Sequence, residues 1–256
     1  MRQNVYDISD KARFYADHPY GHYKSEVYPL FVNILSTLND DDVVLDIGGG
    51  PGHLTYEFFR EQPDKKIEYW ILDGSRELLK HAESKLSGND RIHTDLIDFN
   101  SEDWCQGLPS ASAIVSNNAL FHLKPERISD FYAELSRLLR PKGFYLNQQS
   151  MLYSGGYHPY QENAITRFLD KMPYAVLPQM PQFSEKEFEN VRESESDIKA
   201  RYEKEIEQAK TEQDIDPTIY YFHSAADHLQ ALRQAGMEAT TIWQKKEFYV
   251  ILGVKD

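Results

Sequence analysis

A strand that runs straight into three closely spaced glycines and restarts at once as a helix leaves a chain few choices of fold. Residues 43–47 (Val43, Val44, Leu45, Asp46, Ile47) form a short and mostly apolar run rich in β-branched side chains. That is the pattern of a strand covered on both faces. Gly48, Gly50 and Gly52 follow, and residues 54–60 then take up helical spacing. A strand that turns into a helix cannot return as a hairpin. Its neighbour must come back parallel, through a right-handed crossover. Glycine serves where the backbone turns tightly and where a ligand approaches the main chain. The helix start beyond it presents free N–H groups.

The rest of the chain repeats this alternation. Runs at 67–72, 113–116, 144–146, 240–243 and 248–254 read as strands. Residues 76–86, 125–140 and 225–235 read as amphipathic helices. Pro141, Lys142 and Gly143 form a stop signal after the second of these, and Gly236 a C-cap after the third. The last two strands, joined by residues 244–247, predict an antiparallel hairpin at one sheet edge. Residues 150–222 break the pattern with Gly155, Gly156, Pro159, Pro173, Pro178 and Pro181, then a charged stretch over 184–211. Phe188, Val191, Ile198, Tyr202 and Ile206 fall near one helical face there. Such a stripe packs a solvated helix on the body of the protein, or pairs two copies as a homodimer. The chain divides into an N-terminal segment (1–40), a core (41–149), an insertion (150–222) and a C-terminal helix with hairpin (223–256).

Composition narrows the chemistry. At 256 residues, 41% hydrophobic and 27% charged, the chain can bury a large core. A formal net charge of −13 repels a nucleic-acid backbone, and no Lys/Arg run offsets it, so no nucleic-acid partner is expected. The single cysteine, Cys105, excludes a disulfide within the chain and a Cys-rich metal site. The histidines lack ligand spacing, so no metal is implied. Residues 1–15 lack the apolar stretch of a signal peptide, and no apolar run nears the roughly 20 residues of a membrane span. A cytoplasmic enzyme away from membranes fits these features.

The glycine loop alone is shared by nicotinamide enzymes. Here the spacing is Gly-x-Gly-x-Gly, and an acid, Asp46, sits inside the strand before it. In these features the chain resembles the class I S-adenosylmethionine-dependent methyltransferases, from residue 43 to about 147 and again in the C-terminal hairpin. The resemblance implies an α/β, Rossmann-like, doubly wound sheet of seven mostly parallel strands, with an antiparallel C-terminal hairpin and a helical cap insertion. It implies S-adenosyl-L-methionine as cofactor. Gly48, Gly50 and Gly52 would wrap its methionine part, with Asp46 organising the loop through water and backbone contacts. Glycine stands at Gly49 where the family carries Cys, Ser or Ala, a change that leaves the expectation intact.

Three further stretches extend the match. Asp73 and Gly74 end the second strand. A carboxylate there accepts bonds from both ribose hydroxyls, or else caps the next helix. Asp95 and Leu96, with Asp98 as a competitor, stand where the family binds adenine. Asn117, after the fourth strand, matches the backbone that holds the cofactor amine. His122 lies a turn beyond Asn118. It is either a general base for a protonated acceptor or a histidine without chemistry. The acceptor side is aromatic: Tyr15, His18 and Tyr23 before the core, and Tyr153, Tyr157, Tyr220 and Tyr221 in the insertion. Such walls exclude water and hold cations, or simply pack. The expected reaction is in-line methyl transfer to a small molecule, on oxygen or nitrogen and alternatively on carbon. A tRNA or protein methyltransferase, a nicotinamide oxidoreductase and a non-catalytic cofactor-binding fold stay open at this stage.

Overall fold

In a computed structural model, residues 3–7, 12–13, 16–17, 24–150, 215–216, 223–245 and 248–256 are described. The strands are β1 (Val43–Ile47), β2 (Glu68–Asp73), β3 (Ile92–Leu96), β4 (Ala111–Asn117), β5 (Leu139–Ser150), β6 (Met237–Lys245) and β7 (Phe248–Lys255). They form one sheet in the order β3-β2-β1-β4-β5-β7-β6. β7 is antiparallel to both neighbours, and the other pairs are parallel. The order reverses at β1, so β1 and β4 open a crevice at their C-terminal ends, where α/β sheets bind ligands.

Every residue of β1 is buried, Asp46 among its apolar neighbours included. Alternate side chains point to opposite faces of the sheet. On one face α1 (Lys24–Leu35), α2 (His53–Glu61) and α3 (Arg76–Lys85) pack Phe31, Leu35, Phe58 and Leu79 against Val44, Ile71 and Val115. On the other, α4 (Ile128–Leu138) and α5 (Ala225–Gln234) pack Phe131, Leu135 and Leu232 against Leu45, Ile114 and Ile251. Each such side chain contributes about 1.5–3 kcal/mol on full burial.

Two boundaries differ from the sequence reading. The helix expected over 125–140 is a 3-10 turn, Pro125–Arg127, followed by α4, which stops at Leu138. Leu139 is buried and already pairs with Ala111, so its apolar character serves the strand rather than the helix. Pro141 to Gly143 lie within β5, where Lys142 takes a φ of 63°. The strand expected at 240–243 begins at Met237, because Gly236, at φ 82°, turns the chain straight out of α5. The helix expected over 184–211 lies outside the described residues. From the insertion, Ile215–Asp216 pairs in parallel with Gln3–Asn4. Among the described residues no helix is long and apolar enough to cross a membrane.

Candidate functional site

The loop after β1 is built for close approach. Gly48 has a φ of 68°, and a Cβ there would stand 2.1 Å from the Cβ of Ala119. Only glycine lets the turn after β4 lie against this loop. Gly50, at φ 53°, donates its N–H to Asp73 Oδ2 at 2.9 Å. Gly52 is the N-cap of α2 and brings no side chain over the first-turn N–H groups. A Cβ at Gly49 would meet Asp46 Cγ and Ile71 Cγ2 at 2.9 Å, so only glycine fits there without a shift of those side chains.

Asp73 closes β2 and ties loop to helix. Its Oδ1 accepts from Ser75 N at 2.8 Å while Oδ2 holds Gly50. With Gly74 N–H as a further backbone donor, the carboxylate keeps acceptor capacity for a ribose hydroxyl. Burial raises its pKa to about 6. The N–H groups of Ser75, Gly50 and Gly74 oppose that rise, and the charge of Asp7 adds to it. The helix-cap reading falls to Ser75, whose hydroxyl accepts from Leu78 N at 3.2 Å.

Asp46 acts from beneath. Only 1% of it is exposed. It receives the Tyr69 hydroxyl at 3.4 Å. Burial pushes its pKa up to about 7; the Tyr69 bond opposes this and the Asp73 charge adds to it. Tyr28 of α1 joins the cluster: burial, with the Asp46 charge adding, holds its phenol protonated. Its hydroxyl accepts from Asn117 Nδ2 at 3.4 Å, at the end of β4. Asn117 Oδ1 is buried without a partner, an acceptor suited to an ammonium group.

Asp95 and Leu96 are both exposed at the end of β3, and Leu96 at 44% is one of two exposed large hydrophobics among the described residues. An open apolar side chain beside an acid suits a flat base. Asp98 is instead engaged in a turn, its Oδ1 accepting from Asn100 N at 2.9 Å.

Asn118 takes a left-handed φ of 54° and redirects the chain after β4. His122 then closes a 3-10 turn, Leu120–His122. Its Nε2 lies 3.4 Å from the hydroxyl of Tyr6, and the two rings meet edge-on. Tyr6 belongs to the turn Val5–Asp7, which also packs on α3: Ser75 Oγ lies 3.0 Å from Tyr6 O and 2.9 Å from Asp7 Oδ1. Sequence reasoning missed both Tyr6 and Tyr28. Tyr28 was detectable only as a member of the apolar stripe Val27, Phe31, Val32 and Leu35. Tyr15, His18, Tyr23, Tyr153, Tyr157, Tyr220 and Tyr221 lie outside the described residues.

The glycine cradle, the free acceptor positions of Asp73, the open edge at Asp95 and the orphaned Asn117 oxygen fit a nucleoside bearing an amino-acid tail. S-adenosylmethionine is such a molecule. Residues 45–145 match the model of a family described as a methyltransferase domain. That match and the sheet order are consistent with the class I S-adenosylmethionine-dependent methyltransferases. No curated protein sequence matches the chain. Solved structures share its fold. An O-methyltransferase family protein from Burkholderia thailandensis is 12% identical with a TM-score of 0.59, over 97% of this chain and 60% of that one. Human N-acetylserotonin methyltransferase in complex with SAM is 16% identical with a TM-score of 0.55, over 98% and 57%. The CurJ carbon methyltransferase is 14% identical with a TM-score of 0.58, over 97% and 58%. This chain therefore spans 57% to 60% of the length of those chains.

Proposed function

We propose that this chain transfers a methyl group from S-adenosylmethionine to a small acceptor, on oxygen or nitrogen. The observation that carries this reading is the single carboxylate of Asp73. It anchors the glycine loop through Gly50 and keeps acceptor capacity for a ribose hydroxyl. Asp95 and Leu96 take the adenine, and Asn117 takes the amine. When bound, the cofactor supplies an already activated methyl group. The work left to the chain is placement, and alignment of the reacting atoms is worth about 7–11 kcal/mol. The acceptor's lone pair forms the new bond to the methyl carbon as the carbon–sulfur bond breaks and sulfur keeps its pair. His122 receives the proton of an acceptor that arrives protonated. The charge of −13 disfavours nucleic-acid substrates.

The test is calorimetry with S-adenosylhomocysteine and NAD, followed by transfer of labelled methyl to a small-molecule panel. Binding of S-adenosylhomocysteine with label transfer supports the assignment. Tighter binding of NAD overturns it, and salt-sensitive binding of bulk tRNA overturns the small-acceptor reading.

A further inference from the structure

The C-terminal half of β5 carries Asn147, Gln148 and Gln149, all buried, where a strand between two neighbours is normally apolar. Asn147 and Gln149 point to the face covered by α4 and α5, as does Tyr145 before them. Both are 0% exposed, and Asn147 Oδ1 and Nδ2 and Gln149 Oε1 and Nε2 all lack a hydrogen-bond partner. Native interiors seldom leave four such atoms unpaired without a bound molecule or a function. The place is telling. Asn147 lies level with Ser116 and Gln148 with Asn117, at the end of β4 where the cofactor amine is expected. Leu120 and Leu123, beside His122, pack on the same face.

The surroundings are neutral. Glu134 is the buried carboxylate of this face, and it is closed by Arg127 and Trp104. His223 bonds Leu123 O, and His228 bonds the hydroxyl of Tyr132 and is held neutral by burial. Tyr249, level with Gln149, already receives Gln244 Nε2. A carboxylate or phosphate entering here would meet no free counter-charge among the described residues, and an unpaired buried charge is prohibitive.

We propose that Asn147 and Gln149 form a neutral amide subsite for the methyl acceptor, gripping two of its hydrogen-bonding groups. Two strand residues on one face stand about 7 Å apart, so the acceptor class is an uncharged compound with polar groups at that separation, such as a hydroxylated aromatic or a carboxamide. The inference rests on the methyltransferase reading above. Ordered water is the competing occupant of such a site.

The experiment uses the full chain, labelled S-adenosylmethionine and matched probe pairs: 4-hydroxybenzamide against 4-hydroxybenzoate, with larger phenols, amines and amides paired likewise. The parent is expected to favour the neutral member at least tenfold in kcat/KM. Asn147→Leu and Gln149→Leu each lower kcat/KM for the best neutral probe at least tenfold, chiefly through KM. Both keep S-adenosylhomocysteine affinity within twofold. The double variant melts no lower than the parent, since its unpaired amides are gone. Preference for the anionic members, unchanged kcat/KM in the variants, or a lower melting temperature in the double variant would each overturn the proposal. Absence of turnover with every probe, while S-adenosylhomocysteine still binds, also overturns it and leaves the cofactor assignment standing. Failure of the parent to bind S-adenosylhomocysteine instead removes the underlying methyltransferase reading.

Discussion

Replacing Asp73 by alanine removes one carboxylate that does two things. Its oxygens accept from Gly50 N at 2.9 Å and Ser75 N at 2.8 Å, and in the proposed complex they also receive the ribose hydroxyls. A hydrogen bond to a charged group contributes about 1.5–3 kcal/mol. The two backbone donors regain water in the cofactor-free variant but lose it when a ligand covers them. At least one charged bond's worth of affinity is therefore lost, a weakening of about 10- to 150-fold. The same carboxyl predicts a pH dependence. Its pKa is raised from 3.8 to about 6. Ribose hydroxyls donate more strongly to the ionised form, so affinity falls as pH drops below about 6, by at most about tenfold per unit. Stability of the cofactor-free protein runs the other way. A raised acid contributes stability that is fully present below 3.8 and is lost as pH rises through about 6. Calorimetry with S-adenosylhomocysteine between pH 5 and 8, on the parent, Asp73→Ala and Asp73→Asn, measures these effects. The asparagine variant, which cannot ionise, should lose the acid-side slope. An Asp73→Ala protein that binds within twofold of the parent, or a parent whose affinity is flat to pH 5, refutes the assignment.

Gly48→Ala adds a Cβ 2.1 Å from that of Ala119 at a φ of 68°. Left-handed backbone costs about 1–2 kcal/mol and overpacking about 1–3; denaturant unfolding should show the sum, with Ala119→Gly recovering only the packing part. Glu134→Ala removes the buried acceptor that Arg127 and Trp104 share, 2.8 Å and 2.6 Å away at Oε2, and leaves Arg127 with Asp130 and Ser101 O. Breaking a buried pair on one side costs about 3–5 kcal/mol, and a variant as stable as the parent in urea would disprove the pairing. His228, with a pKa lowered by burial from 6.5 to about 3, contributes stability present above 6.5 and lost as pH falls toward 3. His228→Leu should flatten that part of the parent's stability profile, leaving the opposite trend of Asp46 and Asp73; an unchanged profile would show that the imidazole is accessible to protons.

The parts of the site legible in the sequence are those made by neighbours in the chain. β1, the glycine loop and α2 form one contiguous signal, and Asp73 is marked by its place at a strand end. Buried parallel strands read as continuous apolar runs, so the sheet and its C-terminal hairpin follow from local pattern together with the handedness of crossovers. Where one apolar residue suits two elements, local pattern misleads: Leu139 continues the stripe of α4 yet belongs to β5.

What the tertiary structure alone decided depends on residues far apart in the chain. Tyr28 reaches Asn117 across 89 positions and Tyr6 reaches His122 across 116. Neither pairing leaves a trace in composition or spacing. Gly49 is required by the carboxyl of Asp46 standing over it, an orientation set by Tyr69 on the adjacent strand. The amides of Asn147 and Gln149 read as ordinary polar residues near a strand end. Only the packing of α4 and α5 over that face buries them, and burial turns an unremarkable amide into a group that needs a partner. Local sequence determined where a cofactor can lie, because a turn, a strand end and a helix start are made by neighbours. The lining of the acceptor side was decided by the fold, because desolvation depends on what packs against a residue from elsewhere in the chain.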